Sequence, residues 1–257
     1  MYLHSLVYYA KIANRGNYME EKLLTIAEAA EILGVSLDTL RRWDSSGKLV
    51  AIRKEGGAHR FYREKDLEIF SSDIIKIAHD WAKEASELPS MFYCSNSAVF
   101  QARLSKLELL LMKQPGFEKI FSIIIAITGE IGNNSFDHNL GKWPDISGIF
   151  FGYDINKKQI VLADRGLGIL ETLRQVRPSL KNHTEAVRVA FTEILSGRSP
   201  ENRGNGLKFV REITTTQPID LFFESGDAEV RIKAPDREFR LTRGQEILRG
   251  CFAIIQF

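Results

Sequence analysis

Glu130, Asn134, Asp137 and His138 combine residue types and spacing suited to holding a cation and an anionic ligand. At i, i+4, i+7 and i+8 they share one face of a helix. The sequence around them, from about Phe117 to His138, is apolar on all sides at first. That helix is expected to be buried, and its polar groups then need partners. A structural hydrogen-bond network would satisfy them, and a bound metal with its ligand would do so equally well. Two glycine motifs add ligand chemistry. Asp164-Arg165-Gly166-Leu167-Gly168-Ile169 follows a predicted strand, Gln159 to Ala163, and Gly204-Asn205-Gly206-Leu207 opens a predicted helix. Glycine permits positive φ and close approach of the backbone to a ligand. A helix N-terminus at Leu207 presents free amides and the positive end of a dipole to phosphate.

A second constellation lies between Thr39 and Tyr62. Arg41, Arg42, Lys48, Arg53, Lys54 and Arg60 stand there against Asp44 and Glu55, whereas the whole chain sets 35 Lys and Arg against 33 Asp and Glu, a net charge of +2. A uniformly basic nucleic-acid coat protein is excluded, but a local basic surface is not. The elements that position these charges are legible. Thr25-Ile26-Ala27-Glu28 is a capping box that starts a short helix, ended by Gly34. Two residues later Ser36 caps a second helix with Leu37, Leu40 and Trp43 on its apolar side. Two short helices across a tight turn are a helix-turn-helix. Leu49 to Ile52, the turn Glu55-Gly56-Gly57-Ala58 and Arg60-Phe61-Tyr62 then read as a hairpin, hence a wing. The second helix and the wing are the elements that meet a duplex. Arg41 and Arg42 are expected at base edges or phosphates, and Lys48, Arg53, Lys54 and Arg60 at phosphates. Ser36, Thr39 and His59 complete the candidate DNA-binding set.

The rest of the chain supplies a larger unit. Residues 1–22 show no clear period and are left as an arm. Residues 23–67 form the winged unit, and 68–89 a linker helix with Phe70, Ile74, Ile77, Trp81 and Leu88 as an apolar stripe. Residues 90–257 begin after Pro89. They are expected to hold a short strand at Met91 to Cys94 and a helix through Leu104, Leu107, Leu110 and Leu111. The long polar-faced helix follows, then strands at 149–153, 159–163, 219–223, 229–232 and 252–255. Helices are expected at 184–195 and 207–214. An apolar fraction of 44% with 26% charged residues is ordinary for a globular chain, so wholesale disorder is excluded. Cys94 and Cys251 are too few for a disulfide framework and suit a reducing compartment. The longest apolar run, Ile120 to Ile127, is far short of the roughly 20 residues that span a bilayer. No membrane is expected as a partner, and the expected location is cytoplasmic.

The winged unit resembles the helix-turn-helix of the MerR and excisionase families. The resemblance rests on Thr25 to Ser36, on Thr39-Leu40-Arg41-Arg42-Trp43 and on His59-Arg60-Phe61-Tyr62. It implies double-stranded DNA as a partner. MerR regulators dimerise through a long helix after the wing, and residues 68–88 stand in that place, which makes a homodimer a candidate.

The second unit resembles the GHKL ATPase superfamily of gyrase B, histidine kinases, anti-sigma-factor kinases and MutL. Glu130-x-x-x-Asn134-Ser135-x-Asp137 is similar to its N box, Asp164-x-Gly166-x-Gly168 to its G1 box and Gly204-x-Gly206-Leu207 to its G2 box. Gly250 to Ile254 is similar to its closing strand, with Cys251 where Thr often stands. The resemblance implies ATP and Mg²⁺ as cofactors. Asp164 would accept from the adenine amino group, Asn134 would give an oxygen to Mg²⁺, and Glu130 would orient the attacking water. Gly166 and Gly168 would line the adenine, and Gly204 and Gly206 would meet the phosphates. Residues 170–203 would form the lid, with Arg198 and Arg203 closing on the γ-phosphate. Asp137, His138, Ile169 and Leu207 complete the nucleotide-binding candidates.

Together these readings give an α+β chain: a small winged helix-turn-helix, then a GHKL-type α/β sandwich with a mixed β-sheet. The expected function is a DNA-binding transcriptional regulator switched by ATP binding, with possible slow hydrolysis. The alternative is a histidine-kinase or anti-sigma-type protein kinase acting on a partner protein, for which His79-Asp80 is the candidate phosphoacceptor region.

Overall fold

Both capping devices form as the side-chain chemistry requires. Helix α1 (Ile26–Leu33) starts behind Thr25, whose backbone N–H and hydroxyl donate to Glu28 Oε2 at 2.7 and 2.8 Å, while the Glu28 N–H returns to Thr25 Oγ1 at 3.3 Å. Helix α2 (Leu37–Ser45) starts behind Ser36, whose Oγ accepts from the Thr39 N–H at 3.1 Å. This is a computed structural model. It describes residues 22–33, 35–45, 49–53, 57–64, 66–67, 74–85, 88, 91–193 and 206–257. Residues 1–21 of the N-terminal arm, Gly34, Lys48, Lys54, the turn residues Glu55 and Gly56, Phe70, Arg198, Arg203 and Gly204 lie outside these. The chain divides into two units, Met1–Phe70 and Ser71–Phe257.

In the first unit the strand β1 (Leu23–Thr25) pairs antiparallel with β2 (Phe61–Arg63), with Leu24 opposite Tyr62. The wing is anchored by Ile52 and Phe61, which exchange two backbone hydrogen bonds of 2.7 and 2.9 Å. Leu24, Leu33, Leu40, Trp43, Leu49 and Tyr62 are its buried centre. The strand β1 was not expected. Three residues before a capping box carry too short a pattern to register as a strand.

The second unit is built on five strands: β3 (Tyr93–Cys94), β4 (Ile149–Asp154), β5 (Gln159–Asp164), β6 (Asp220–Ile232) and β7 (Arg240–Gln256). Their order is β3-β4-β5-β7-β6, and every neighbouring pair is antiparallel. The expected mixed sheet is therefore corrected. The β5-to-β6 connection does return a parallel strand, but β7 inserts between the two and pairs antiparallel with both. The two short strands expected at 219–223 and 229–232 are one strand of 13 residues, paired to a strand of 17. The intervening Glu224-Ser225-Gly226-Asp227 has the composition of a turn, yet it is absorbed as register shifts around Gly226 within the hairpin.

Helices cover both faces of the sheet. The helices α4 (Ser97–Met112) and α5 (Phe121–Asn139) pack on the face that holds Ile160, Leu162, Ala253 and Ile255. The helix α3 (Ile74–Glu84) packs on the opposite face, where Ile74, Ala78, Trp81 and Ala82 join Phe150, Val161, Ala163 and Phe252. Ile74 and Trp81 of the expected apolar stripe are thus buried against the sheet of their own chain, with Ile77 and Leu88 partly buried beside them. The helices α6 (Gly168–Arg174) and α7 (His183–Thr192) bury Leu170, Leu173, Leu180, Ala186 and Val189 together. Residues 170–193 of the expected lid are therefore packed structure. The helix α8 (Gly206–Thr216) resumes the chain after 194–205, which lie outside the described residues.

The crossing of α4 and α5 leaves no space at Gly132. A Cβ there would overlap the fully buried ring of Phe100. Alanine gains about 1 kcal/mol of helix propensity over glycine, while overpacking a tight core costs about 1–3 kcal/mol. Gly132→Ala is expected to lower stability in urea unfolding, and Phe100→Leu in the same chain to recover part of the loss. A Gly132→Ala chain as stable as the unsubstituted one would show that the ring has room to retreat.

Candidate functional site

Strand β5 ends on two ionisable residues that point to opposite faces. Asp164 is 1% exposed and turns toward α5. Its Oδ2 accepts from the Ser135 hydroxyl at 2.7 Å, its Oδ1 accepts from the Gly166 N–H at 2.8 Å, and the Cys251 N–H also donates to it. Burial pushes this carboxyl above the usual aspartate range, and the three donors oppose that shift without cancelling it.

The loop after Asp164 is tied to the same helix. Asn139, 3% exposed, accepts from the Leu167 N–H through Oδ1 and donates through Nδ2 to the Ser135 carbonyl, each at 2.8 Å. The Ile169 N–H reaches Ser225 Oγ at 3.0 Å, and that hydroxyl donates to the Gly250 carbonyl at 2.8 Å. One serine thus joins the start of α6 to both strands of the long hairpin. Gly168, at φ +73°, adopts a backbone that a side chain would strain.

The other end of the polar face of α5 meets α8. A Cβ on Gly206 would overlap Glu130 Oε2 and stand 3.0 Å from Asn134 Nδ2, so glycine is what lets the first turn of α8 lie against these two side chains. The structure therefore brings Glu130, Asn134, Gly206 and Leu207 to one end of the site, and Asp164, Gly166, Gly168 and Ile169 to the other. Asp137 is exposed and His138 half-buried near the C-terminal end of α5. Ser135 and Asn139 hold Asp164 and its loop. Ser135 stood in the expected N box without a role of its own, and Asn139 and Ser225 were absent from the expected site. Asn139 carried a usable signal, since it continues the i, i+4 spacing from Ser135. Ser225 carried none, because its role exists only once β6 and β7 pair.

Arg165, 6% exposed, points the other way. Its Nη1 donates to the carbonyls of Trp81 and Ala82 at 2.9 and 2.5 Å, and its Nη2 to Asp145 at 2.6 Å. Arg249 adds a second cation to Asp145 at 2.9 Å. Arg165 foremost holds the Asp145 carboxyl below its usual range, with the Ile146 N–H and Arg249 assisting against partial burial. An arginine on the last carbonyls of a helix satisfies groups that would otherwise lack partners. His79 lies on α3 with its ring edge toward Phe252, centroids 5.6 Å apart.

In the first unit Arg41 and Arg42 are exposed on α2, and Arg41 pairs with Asp38 at 2.5 Å. Thr39 is buried and, like Ser36, takes part in the helix cap. His59 is exposed. Arg53 and Arg60 both reach Asp44 Oδ2, at 2.6 and 2.7 Å, and the Ala51 N–H reaches Oδ1 at 3.0 Å. Burial would raise the Asp44 carboxyl, but Ala51, Arg60 and Arg53 together hold it below its usual value. Arg53 and Arg60 thus also fasten the wing to α2.

A helix-turn-helix domain model matches residues 23–70. The chain is also similar to the type II methyltransferase M.Eco47II of Escherichia coli, 40% identical over 68 residues, covering 26% of this chain and 16% of that protein. It is similar to the transcriptional repressor DcmR of Methylorubrum extorquens (strain DSM 6343 / CIP 106787 / DM4), 47% identical over 53 residues, covering 21% of this chain and 20% of the repressor. The matches span a fifth or less of either relative. Residues 23–70 are thus a helix-turn-helix domain, and no described helix is long and apolar enough to cross a membrane.

The raised Asp164 carboxyl has a measurable consequence. A folded-state pKa above the unfolded value gives stability that is complete at acid pH and is lost as pH rises through the folded value. Asparagine keeps the shape and cannot ionise, and the Ser135 hydroxyl can rotate to accept from it. Asp164→Asn is therefore expected to have the higher thermal midpoint at pH 8, with the gap closing as pH falls toward 4. A variant that melts below the unsubstituted chain at pH 8 would show that the three donors outweigh burial.

Proposed function

We propose that this chain is a DNA-binding transcriptional regulator whose second unit takes up Mg·ATP as a switch. The helix-turn-helix match over residues 23–70 carries the DNA half, with exposed Arg41 and Arg42 on the second helix of that motif. The similarity to a transcriptional repressor supports regulation as the purpose of binding. In such motifs phosphate contacts fix register and base-edge contacts read sequence. Arg41 and Arg42 are the readers in this proposal, and the Asp44 clamp on Arg53 and Arg60 sets the wing beside them.

The nucleotide half rests on the lock among Asp164, Ser135 and Asn139, together with the approach of Gly206 to Glu130 and Asn134. This donor set fits an adenine nucleotide. Asp164 offers a carboxylate acceptor for an exocyclic amine, Asn134 an amide oxygen for a hydrated cation, and α8 its first-turn amides for phosphate oxygens. Glu130 is the carboxylate placed to orient a water, which is the positioning a general base needs. Bound ATP would supply a cleavable phosphoanhydride and the charge that distinguishes two states of the regulator. The kinase alternative has less support, since His79 packs half-buried against the sheet rather than on a two-helix hairpin.

Binding of the full chain to duplex DNA, followed by fluorescence anisotropy across a salt series, tests the first half. Loss of Arg41 and Arg42 to Ala is expected to weaken binding, to flatten the salt slope by about one for each phosphate contact removed and to relax sequence preference for each base contact removed. Arg60→Ala should differ in kind, lowering the stability of the first unit by about 1–3 kcal/mol as Asp44 loses a partner. Salt-insensitive binding, or none to any duplex including the chain's own promoter region, would remove the DNA assignment.

Calorimetry with Mg·ATP tests the second half. Asp164→Asn is expected to weaken binding at least about a hundredfold, about 2.7 kcal/mol, by presenting a donor to a donor. Glu130→Ala should bind nucleotide and lose whatever hydrolysis the chain has. Unchanged affinity in the Asp164→Asn chain, already expected to be stably folded, would overturn the nucleotide reading alone and leave the DNA reading standing.

A further inference from the structure

The sheet face that carries α3 holds a cavity of about 510 Å³, on the side away from Asp164. It is an open groove rather than an enclosed chamber, and its volume lies within the range of small-ligand sites. Ile75, Phe222, Phe252 and Ile254 give it an apolar floor, and Glu224 stands among them. Glu224 is 8% exposed and has no hydrogen-bond or ion partner among the described residues. No sealed side-chain oxygen or nitrogen among these residues lacks a partner. The Glu224 carboxylate must therefore open onto the cavity it lines.

Among the described residues the cations around Glu224 are each paired with another carboxylate. Arg231 pairs with Glu229 at 2.8 Å, Lys83 with Glu246, and Arg243 with Asp227 at 2.6 Å. His79 faces the same cavity with its edge on Phe252. Burial above all, then the charges of Glu229 and Glu246, push the Glu224 carboxyl up to about 7, against the opposing pull of Arg231 and Lys83. A buried carboxylate without a counter-charge is costly, and the missing complement is a single positive group. A metal ion fits poorly. Only one carboxylate is uncommitted, and no described cluster of three His, Cys, Asp or Glu is placed to hold one. Phe222 already carries one organic cation, the Arg231 guanidinium, 4.4 Å from its centroid, and the Phe252 ring offers an apolar surface to an alkyl chain.

We propose that this cavity binds a small primary aliphatic amine, free in solution, with its ammonium on Glu224 and its alkyl stem across Phe252 and Ile254. The site is separate from the nucleotide reading and does not rest on it. It abuts α3 through Ile75 and His79, so an occupant would bear directly on that helix.

Calorimetric titration of the full chain with hexylamine at constant ionic strength tests this, with hexanol as the neutral isostere. Saturable one-to-one binding of hexylamine is expected at pH 8, with hexanol at least about tenfold weaker. Glu224→Gln should weaken hexylamine at least about tenfold while leaving hexanol unchanged. Affinity should fall from pH 8 to pH 6 as Glu224 takes up a proton, and should still do so in a His79→Gln chain, which removes the imidazole from the profile. Equal binding of hexylamine and hexanol, no saturable binding, or an unaltered affinity in Glu224→Gln would each overturn the proposal. If Glu224→Gln fails to fold, the hexanol comparison and the pH profile on the unsubstituted chain decide it.

Discussion

The second unit depends on one consequence of strand geometry: adjacent residues point to opposite faces. At the end of β5 the two residues in question are Asp164 and Arg165. The first is locked to Ser135 on α5, and the second to the last turn of α3 and to Asp145. A single peptide bond thus joins the candidate site to the helix that covers the other face. Neither residue tolerates the opposite placement. Arg165 beside Ser135 would bring a cation where three donors converge, and Asp164 beneath α3 would set a carboxylate against helix carbonyls. The helices on the two faces are held in register by this pair and by the apolar alternation of Ile160, Val161, Leu162 and Ala163 that leads to it.

Buried charge organises the first unit in a comparable way. Asp44 takes the Ala51 amide and two guanidinium groups, so the end of α2, the segment after it and the wing converge on one carboxylate. A unit this small buries little apolar surface, and a satisfied polar hub fixes the wing where a few aliphatic contacts would leave it free to shift. The cost is a dependence on pH. The Asp44 carboxyl is held low, so its contribution is present above the ordinary aspartate range and is lost as acid protonates it.

Much of this was legible because its signals are local. The capping box at Thr25 and Glu28, the cap at Ser36 and the helical spacing of Glu130 and Asn134 involve residues a few positions apart, and each forms as expected. What was not legible depends on partners distant in sequence. The Glu224-Ser225-Gly226-Asp227 stretch reads as a turn until β7 lies beside it. The stripe of α3 reads as a packing face or a dimer seam, and the sequence does not say that Phe150, Val161 and Phe252 are what it packs on. Lys48, Arg53, Lys54 and Arg60 read as a run of phosphate contacts, and nothing in the sequence shows that Arg53 and Arg60 also pair with the buried Asp44. Charge can be counted in a sequence, but the partner of each charge cannot.

The energetics of the candidate site follow from the same burial. Burial works against the charged form of Asp164 and its three donors offset that only in part, so the folded chain carries a cost as pH rises. On the proposed reading, a donor arriving at that carboxylate offsets the cost, and binding then stabilises the fold by linkage as well as by contact. Because Arg165 follows directly, any change in the end of β5 that accommodates a donor also acts on the arginine bonded to Trp81 and Ala82. The helix so affected is the first described element after residue 70, where the helix-turn-helix unit ends in the chain. If nucleotide, acting through that helix, changes DNA affinity by some factor, thermodynamic linkage requires DNA to change nucleotide affinity by the same factor. A switch built this way needs no contact between the two ligands, only a strand end whose two faces respond together.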